Sequence, residues 1–147
     1  MQTTIGARVQ SYLKSSEAYK AFKRDCTQRM YVEGLEGFPL AQAVSIHARY
    51  IHSRVWVVCP TEESTQLVVK DLQACEAPFL ALPTTGKQLY SPWEGTQREY
   101  QQLKVLGAML DEPRRIVVSS LRAFVSPVVH SDALQASALQ LRTSEHF

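Results

Sequence analysis

Arg54 to Pro60 reads RVWVVCP and Arg115 to Ser119 reads RIVVS. Each is a short unbroken run of β-branched and other apolar residues, the pattern of a strand buried on both faces of a parallel sheet. Both runs are expected as strands at the centre of the sheet. After the first, Thr61 is suited to cap a helix, Glu62 and Glu63 favour its positive end, and Leu67, Val68 and Leu72 give it an apolar face to about Ala74. Pro78 to Leu82 reads as a further strand. The turn-rich stretch PTTGKQLYSPWEG follows, and Thr96 with Glu99 forms a capping box for a helix carrying Leu103, Leu106 and Leu110 on one side. Asp111, Glu112 and Pro113 stop that helix. Ser120 can cap a short helical turn through Phe124 before Pro127. Strand and helix alternate, which predicts an α/β layered domain with a mostly parallel sheet flanked by helices.

Upstream, Ile5, Val9 and Leu13 stand four apart, Ser15 and Ser16 interrupt, and Tyr19 and Phe22 mark a second helical piece. Residues 1–29 therefore read as a helical lead-in. Lys20, Lys23 and Arg24 near its end are possible surface contacts for a polyanion, but a solvated face complementing the helix dipole is the simpler reading. Met30 to Val32 is expected to be a short strand feeding the turn Gly34-Leu35-Glu36-Gly37. Pro39 suits the first turn of a helix packed through Ala41, Ala43, Val44, Ala48 and Ile51.

The chain has 147 residues, 45% of them hydrophobic, enough for one domain with a sizeable core. Its formal charge of +2 does not imply a nucleic-acid surface, although residues 1–30 hold six basic and two acidic side chains. Three cysteines without C-x-x-C spacing suggest neither a disulfide framework nor a zinc knuckle. No apolar run approaches the roughly 18–20 residues a membrane-spanning helix needs, and no leader pattern opens the chain. A soluble, cytoplasmic protein is expected.

Chemistry is concentrated in one question, because Val32 to Ile46, VEGLEGFPLAQAVSI, has the outline of a phosphate-binding loop. Such a loop, G-x-x-x-x-G-K-[ST], needs backbone N–H groups, a lysine charge and a hydroxyl on magnesium. Counting from Gly34, the second glycine falls on Pro39, the lysine on Leu40 and the hydroxyl on Ala41, so Gly34 and Gly37 are expected to serve only the turn. Gly86-Lys87 is a decoy, since Ala81 stands where its first glycine should be. His47 and His52 are five apart rather than at the i, i+4 spacing of a helical metal pair, and read as helix-surface residues. Asp111-Glu112 precedes a hydrophobic strand, where an acidic Walker pair would follow one. No nucleophile–base pairing is evident, so no catalytic or metal-binding residue is expected. Trp93, Tyr90 and Tyr100 could stack a base or seal a core edge, and sealing is the expectation.

The order of these features resembles the N-terminal module of the bacterial transcription-repair coupling factors (Mfd), itself similar to the excinuclease component UvrB. The resemblance covers about Val32 to Arg142. It rests on the turn Gly34-Leu35-Glu36-Gly37, the strand VWVVCP with its helix, the segment LPTTGKQLYSPWEGTQREYQQLKVLGAML, with Arg98-Glu99 before Leu103, and RIVVSSLRAFVSPVV. The aromatic loop, Tyr90-Ser91-Pro92-Trp93, departs from the usual Trp-Glu-x-x-Pro-Tyr. The resemblance implies a partial RecA-like, degenerate helicase domain over 30–129 that binds no nucleotide cofactor. It further implies that 130–147 is a linker and the start of an inserted module, with Ala138 to Arg142 as its first strand. That module would dock UvrA, the damage-recognition component. RNA polymerase and DNA would be engaged downstream by an ATP- and magnesium-dependent translocase. A functional nucleotide-binding domain and a small α/β enzyme remain the rival readings.

Overall fold

A computed structural model describes residues 5–25, 32–51, 54–84, 92–112 and 115–137. The lead-in folds as two helices, α1 (Ile5–Ser15) and α2 (Glu17–Asp25), broken at Ser16. The Ser16 hydroxyl accepts from the Tyr19 N–H at 3.2 Å, which satisfies an orphan donor at the start of α2. α1 packs against α3 (Gly37–Tyr50). The expected strand at Met30 to Val32 lies largely outside the described residues, and Val32 itself is exposed coil.

Among the described residues the sheet has three parallel strands, β1 (Val55–Cys59), β2 (Phe79–Leu82) and β3 (Ile116–Ser120), in the order β1-β3-β2. The α/β class read from the sequence is therefore observed. Val55, Ile116 and Phe79 stand side by side, as do Val57, Val118 and Ala81. Helix α4 (Glu62–Ala74) connects β1 to β2 across β3, and α5 (Pro92–Asp111) leads back from β2 to β3. Right-handed crossovers in opposite directions place these helices on opposite faces. The α4 face holds the main core, in which Ile116, Val118 and Cys59 meet Leu72, Cys75, Ala77 and Ala41, with Phe38, Val44 and Val68 packed around them. On the other face α5 lies along β2. The Arg54 guanidinium donates to the Met109 carbonyl and ties the start of β1 to the last turns of α5.

Several sequence expectations are corrected. Among the described residues β1 is an edge strand, not a central one: Trp56 is 38% and Val58 40% exposed, whereas every residue of β3 is buried. The crossovers decide this, because the chain passes over the place beside β1 and fills it last. α5 starts at Pro92 rather than Thr96, since a proline costs nothing in a first helical turn. Its leucine face is only partly covered, with Leu103 41% exposed, and Gln102 is the buried residue. In α3 the most buried side chains are Gln42 and Ile46, both of which lie outside the expected packing set. After α6 (Leu121–Val125), a helix, α7 (Ser131–Ser137), occupies the start of the expected linker. The strand expected at Ala138 to Arg142 lies outside the described residues.

Helix ends are built by local chemistry. Thr61 and Ser64 cap α4 reciprocally, with backbone-to-hydroxyl distances of 3.1 Å in both directions. At its other end the Ala77 N–H reaches back to the Leu72 carbonyl at 3.2 Å, with Glu76 in the left-handed region at φ 52°.

Candidate functional site

The glycine turn is the first candidate. Gly34 and Gly37 have φ of 71° and 58°, so both glycines are needed for the backbone path. Glu36 stands at the N-cap of α3 without a side-chain capping bond. Pro39 is exposed, Leu40 half-buried and Ala41 buried in the core. Nothing in this set supplies a cation or a hydroxyl to a phosphate.

The surroundings oppose an anion as well. A Cβ on Gly37 would stand 3.9 Å from the Asp71 carboxylate, and Glu33 and Glu36 are exposed beside the turn. Three carboxylates around one helix N-terminus offset its favourable dipole. Position matters too. Asp71 lies in the final turn of α4, and a crossover helix runs opposite to its strands, so the turn sits towards the end of the sheet where the strands begin. Ligands of open α/β sheets bind beyond the other end, at the carboxyl ends of the strands.

At that other end the chain's own side chains bond to one another. The Ser120 hydroxyl donates to the Glu62 carboxylate at 2.6 Å, and it also accepts from the Ala123 N–H at 3.1 Å, capping α6. Thr84 hydrogen-bonds to the same Glu62 oxygen and lies 3.0 Å from the Ser120 hydroxyl. Ser120 at the end of β3 and Thr84 just after β2 thus converge on the carboxylate of Glu62, which follows β1. A negative group held at the N-terminus of α4 is a staple for the sheet and a poor seat for phosphate.

The remaining sequence candidates do not converge. Lys20 pairs with Glu17 at 2.9 Å on the surface of α2, Arg24 is exposed on the same helix, and the Lys23 side chain lies outside the described residues. Trp93 falls within the first turn of α5, not in a loop; its side chain, like Tyr90 and Gly86-Lys87, lies outside the described residues. Tyr100 is 69% exposed and seals no core edge. His47 is half-buried rather than on the surface, and burial pulls its pKa down, while His52 is outside the described residues. Glu112 pairs with Arg115, so the acidic pair ends a helix and orients the next strand. Among the described residues no group of three or more His, Cys, Asp or Glu side chains is arranged to hold a metal ion. No helix among them is long and apolar enough to cross a membrane.

Sequence reasoning missed the Glu62–Thr84–Ser120 cluster. A signal was present: three parallel strands, each with a polar side chain at its end or within a few residues after it, must bring those side chains to the same end of the sheet. Comparison with protein-family profiles, with curated proteins and with solved structures finds no match for the chain.

Proposed function

We propose that this chain is a non-catalytic, UvrB-like scaffold, the N-terminal module of a bacterial transcription-repair coupling factor, and that it supports recruitment of UvrA to stalled RNA polymerase in the cytoplasm. The observation that carries the reading is the glycine turn. It opens a helix ahead of a parallel α/β unit, yet its phosphate-contact positions hold Pro39, Leu40 and Ala41, with Asp71 alongside. A domain of this class without phosphate ligands retains its sheet and helices as a platform. The same observation weighs against the rival nucleotide-binding reading.

Magnitudes set the test. A loop binding ATP at micromolar affinity has roughly −8 kcal/mol available. Losing the lysine contacts, a backbone donor and the magnesium hydroxyl removes on the order of 5 kcal/mol, at about 1.5–3 kcal/mol per charge-assisted hydrogen bond. Calorimetry with Mg-ATP should show nothing tighter than millimolar. A saturable, magnesium-dependent constant near 10 μM, lost on Gly37→Val, would reinstate the nucleotide site. UvrA should be retained by this chain weakly at most, and strongly once the adjoining module is joined to it. Failure of the longer chain to retain UvrA removes the scaffold reading.

A further inference from the structure

β2 carries a partner only on its β3 side among the described residues, so its outer N–H and C=O groups form an open sheet edge. That edge is the floor of a groove of about 790 Å³. Val69 and Lys70 of α4 wall it on one face, Lys104, Val105 and Ala108 of α5 on the other, and Leu80 to Pro83 run along the bottom. An extended segment laid there would have side chains facing α4 and α5 alternately, meeting Val69 on one side and Val105 and Ala108 on the other, with Gln66 and Gln73 of α4 and Gln101 of α5 as polar neighbours. β2 has four residues, so a strand beside it would run about 13 Å at roughly 3.3 Å per residue.

Charge selects the occupant. The groove's charged residues are Glu62, Lys70, Lys104 and Arg115. Glu62 is held by Ser120 and Thr84, and Arg115 by Glu112. Lys70 and Lys104 are exposed and make no ion pair among the described residues. Both crossover helices run against the strands, which puts these two lysines past mid-groove, towards the start of β2. A second copy paired edge to edge would bring like-charged rims together, at a cost.

We propose that the β2 edge is a strand-addition site for an extended acidic peptide of a partner protein, with four or so apolar residues in the groove and carboxylates beside Lys70 and Lys104. Main-chain hydrogen bonds to β2 supply affinity, and the apolar walls and lysines supply selectivity.

The test uses the full chain and a fluorescein-labelled synthetic peptide, Val-Ile-Val-Ile followed by three glutamates, with a three-lysine peptide as control. Anisotropy should show saturable binding of the acidic peptide, at least tenfold tighter than the control. Amide exchange should slow at Leu80 to Leu82 and stay unchanged at Val55 to Cys59. The double variant Lys70→Glu, Lys104→Glu alters exposed helical positions and should keep the wild-type circular dichroism. It should lose the acidic peptide at least tenfold and gain the lysine one. Equal binding of the two peptides, no saturation, or protection at β1 overturns the proposal. So does a dimer in sedimentation that protects β2 without peptide, which would assign the groove to a second copy.

Discussion

β1 and β3 are made of nearly the same material and live in different environments. Val55 to Val58 alternate between half-buried and exposed ahead of a buried Cys59, whereas IVVSS is buried throughout, serines included. Their place in the sheet separates them, and that place is set by α4 overshooting one position and α5 returning to it. An apolar run therefore predicts a strand, while strand order predicts how much of it water sees.

The sharpest way to break this contrast is to place a carboxylate on each strand. Val117 is fully buried on β3, so Val117→Asp should cost several kcal/mol and leave the chain unfolded by circular dichroism. Val58→Asp, at a position already 40% exposed, should fold with a loss below about 1 kcal/mol. Similar losses for both would mean that β1 is covered in solution by something that reaches its outer face.

Truncations ask the same question more gently. Ile116→Ala should cost about 2–5 kcal/mol in a urea titration, because Leu72 and Val118 cannot collapse fully into the space left. Trp56 meets Phe124 edge-to-face at 5.3 Å, both partly in water, so Trp56→Ala should cost about 1–2 kcal/mol. A larger loss at Trp56 than at Ile116 would reverse the ranking of the strands.

Neighbouring serines on β3 separate burial from bonding. The Ser120 hydroxyl caps α6 and reaches Glu62, so Ser120→Ala should lose about 1–2 kcal/mol. Among the described residues the buried Ser119 hydroxyl has no hydrogen-bond partner, so Ser119→Ala should be neutral within about 0.5 kcal/mol or mildly stabilising. Thermal melts of the two variants read the difference directly.

What the sequence makes legible follows period and punctuation. The strands at Val55, Phe79 and Ile116, the Thr61 cap and the break at Ser16 all rest on interactions within a few residues of one another. Strand order, the exposure of Trp56 and the groove beside Leu80 rest on contacts between segments far apart in the chain, which periodicity does not encode. A satisfactory cap at Thr96 hides the earlier start of α5 at Pro92. For the candidate site, the three missing phosphate contacts are readable residue by residue. The Asp71 carboxylate beside Gly37 belongs to a different helix and is not.

The smallest effect lies where β1 comes to resemble β3. Cys59 ends β1, stands beside Ser120 and is buried, unlike the residues before it on the strand. Burial pushes its thiol pKa above the ordinary value, against a weaker opposing pull from the Thr65 side chain. A thiol raised in the native state keeps its proton longer than in the unfolded chain. The unfolded state then ionises first as pH climbs past about 9, and stability falls through that window, with no change below it. Cys75 is shifted in the same direction, by burial first and by Asp71 second, so both thiols contribute to the fall. Cys59→Ala should flatten the loss of thermal midpoint between about pH 8 and pH 10 without abolishing it. At about pH 8, iodoacetamide should modify native Cys59 at least tenfold more slowly than in urea, with mass spectrometry resolving each cysteine. Alkylation at the unfolded rate would mean that the edge strand opens along its whole length, and that its last residue shares the exposure of Trp56 and Val58 rather than the burial of β3.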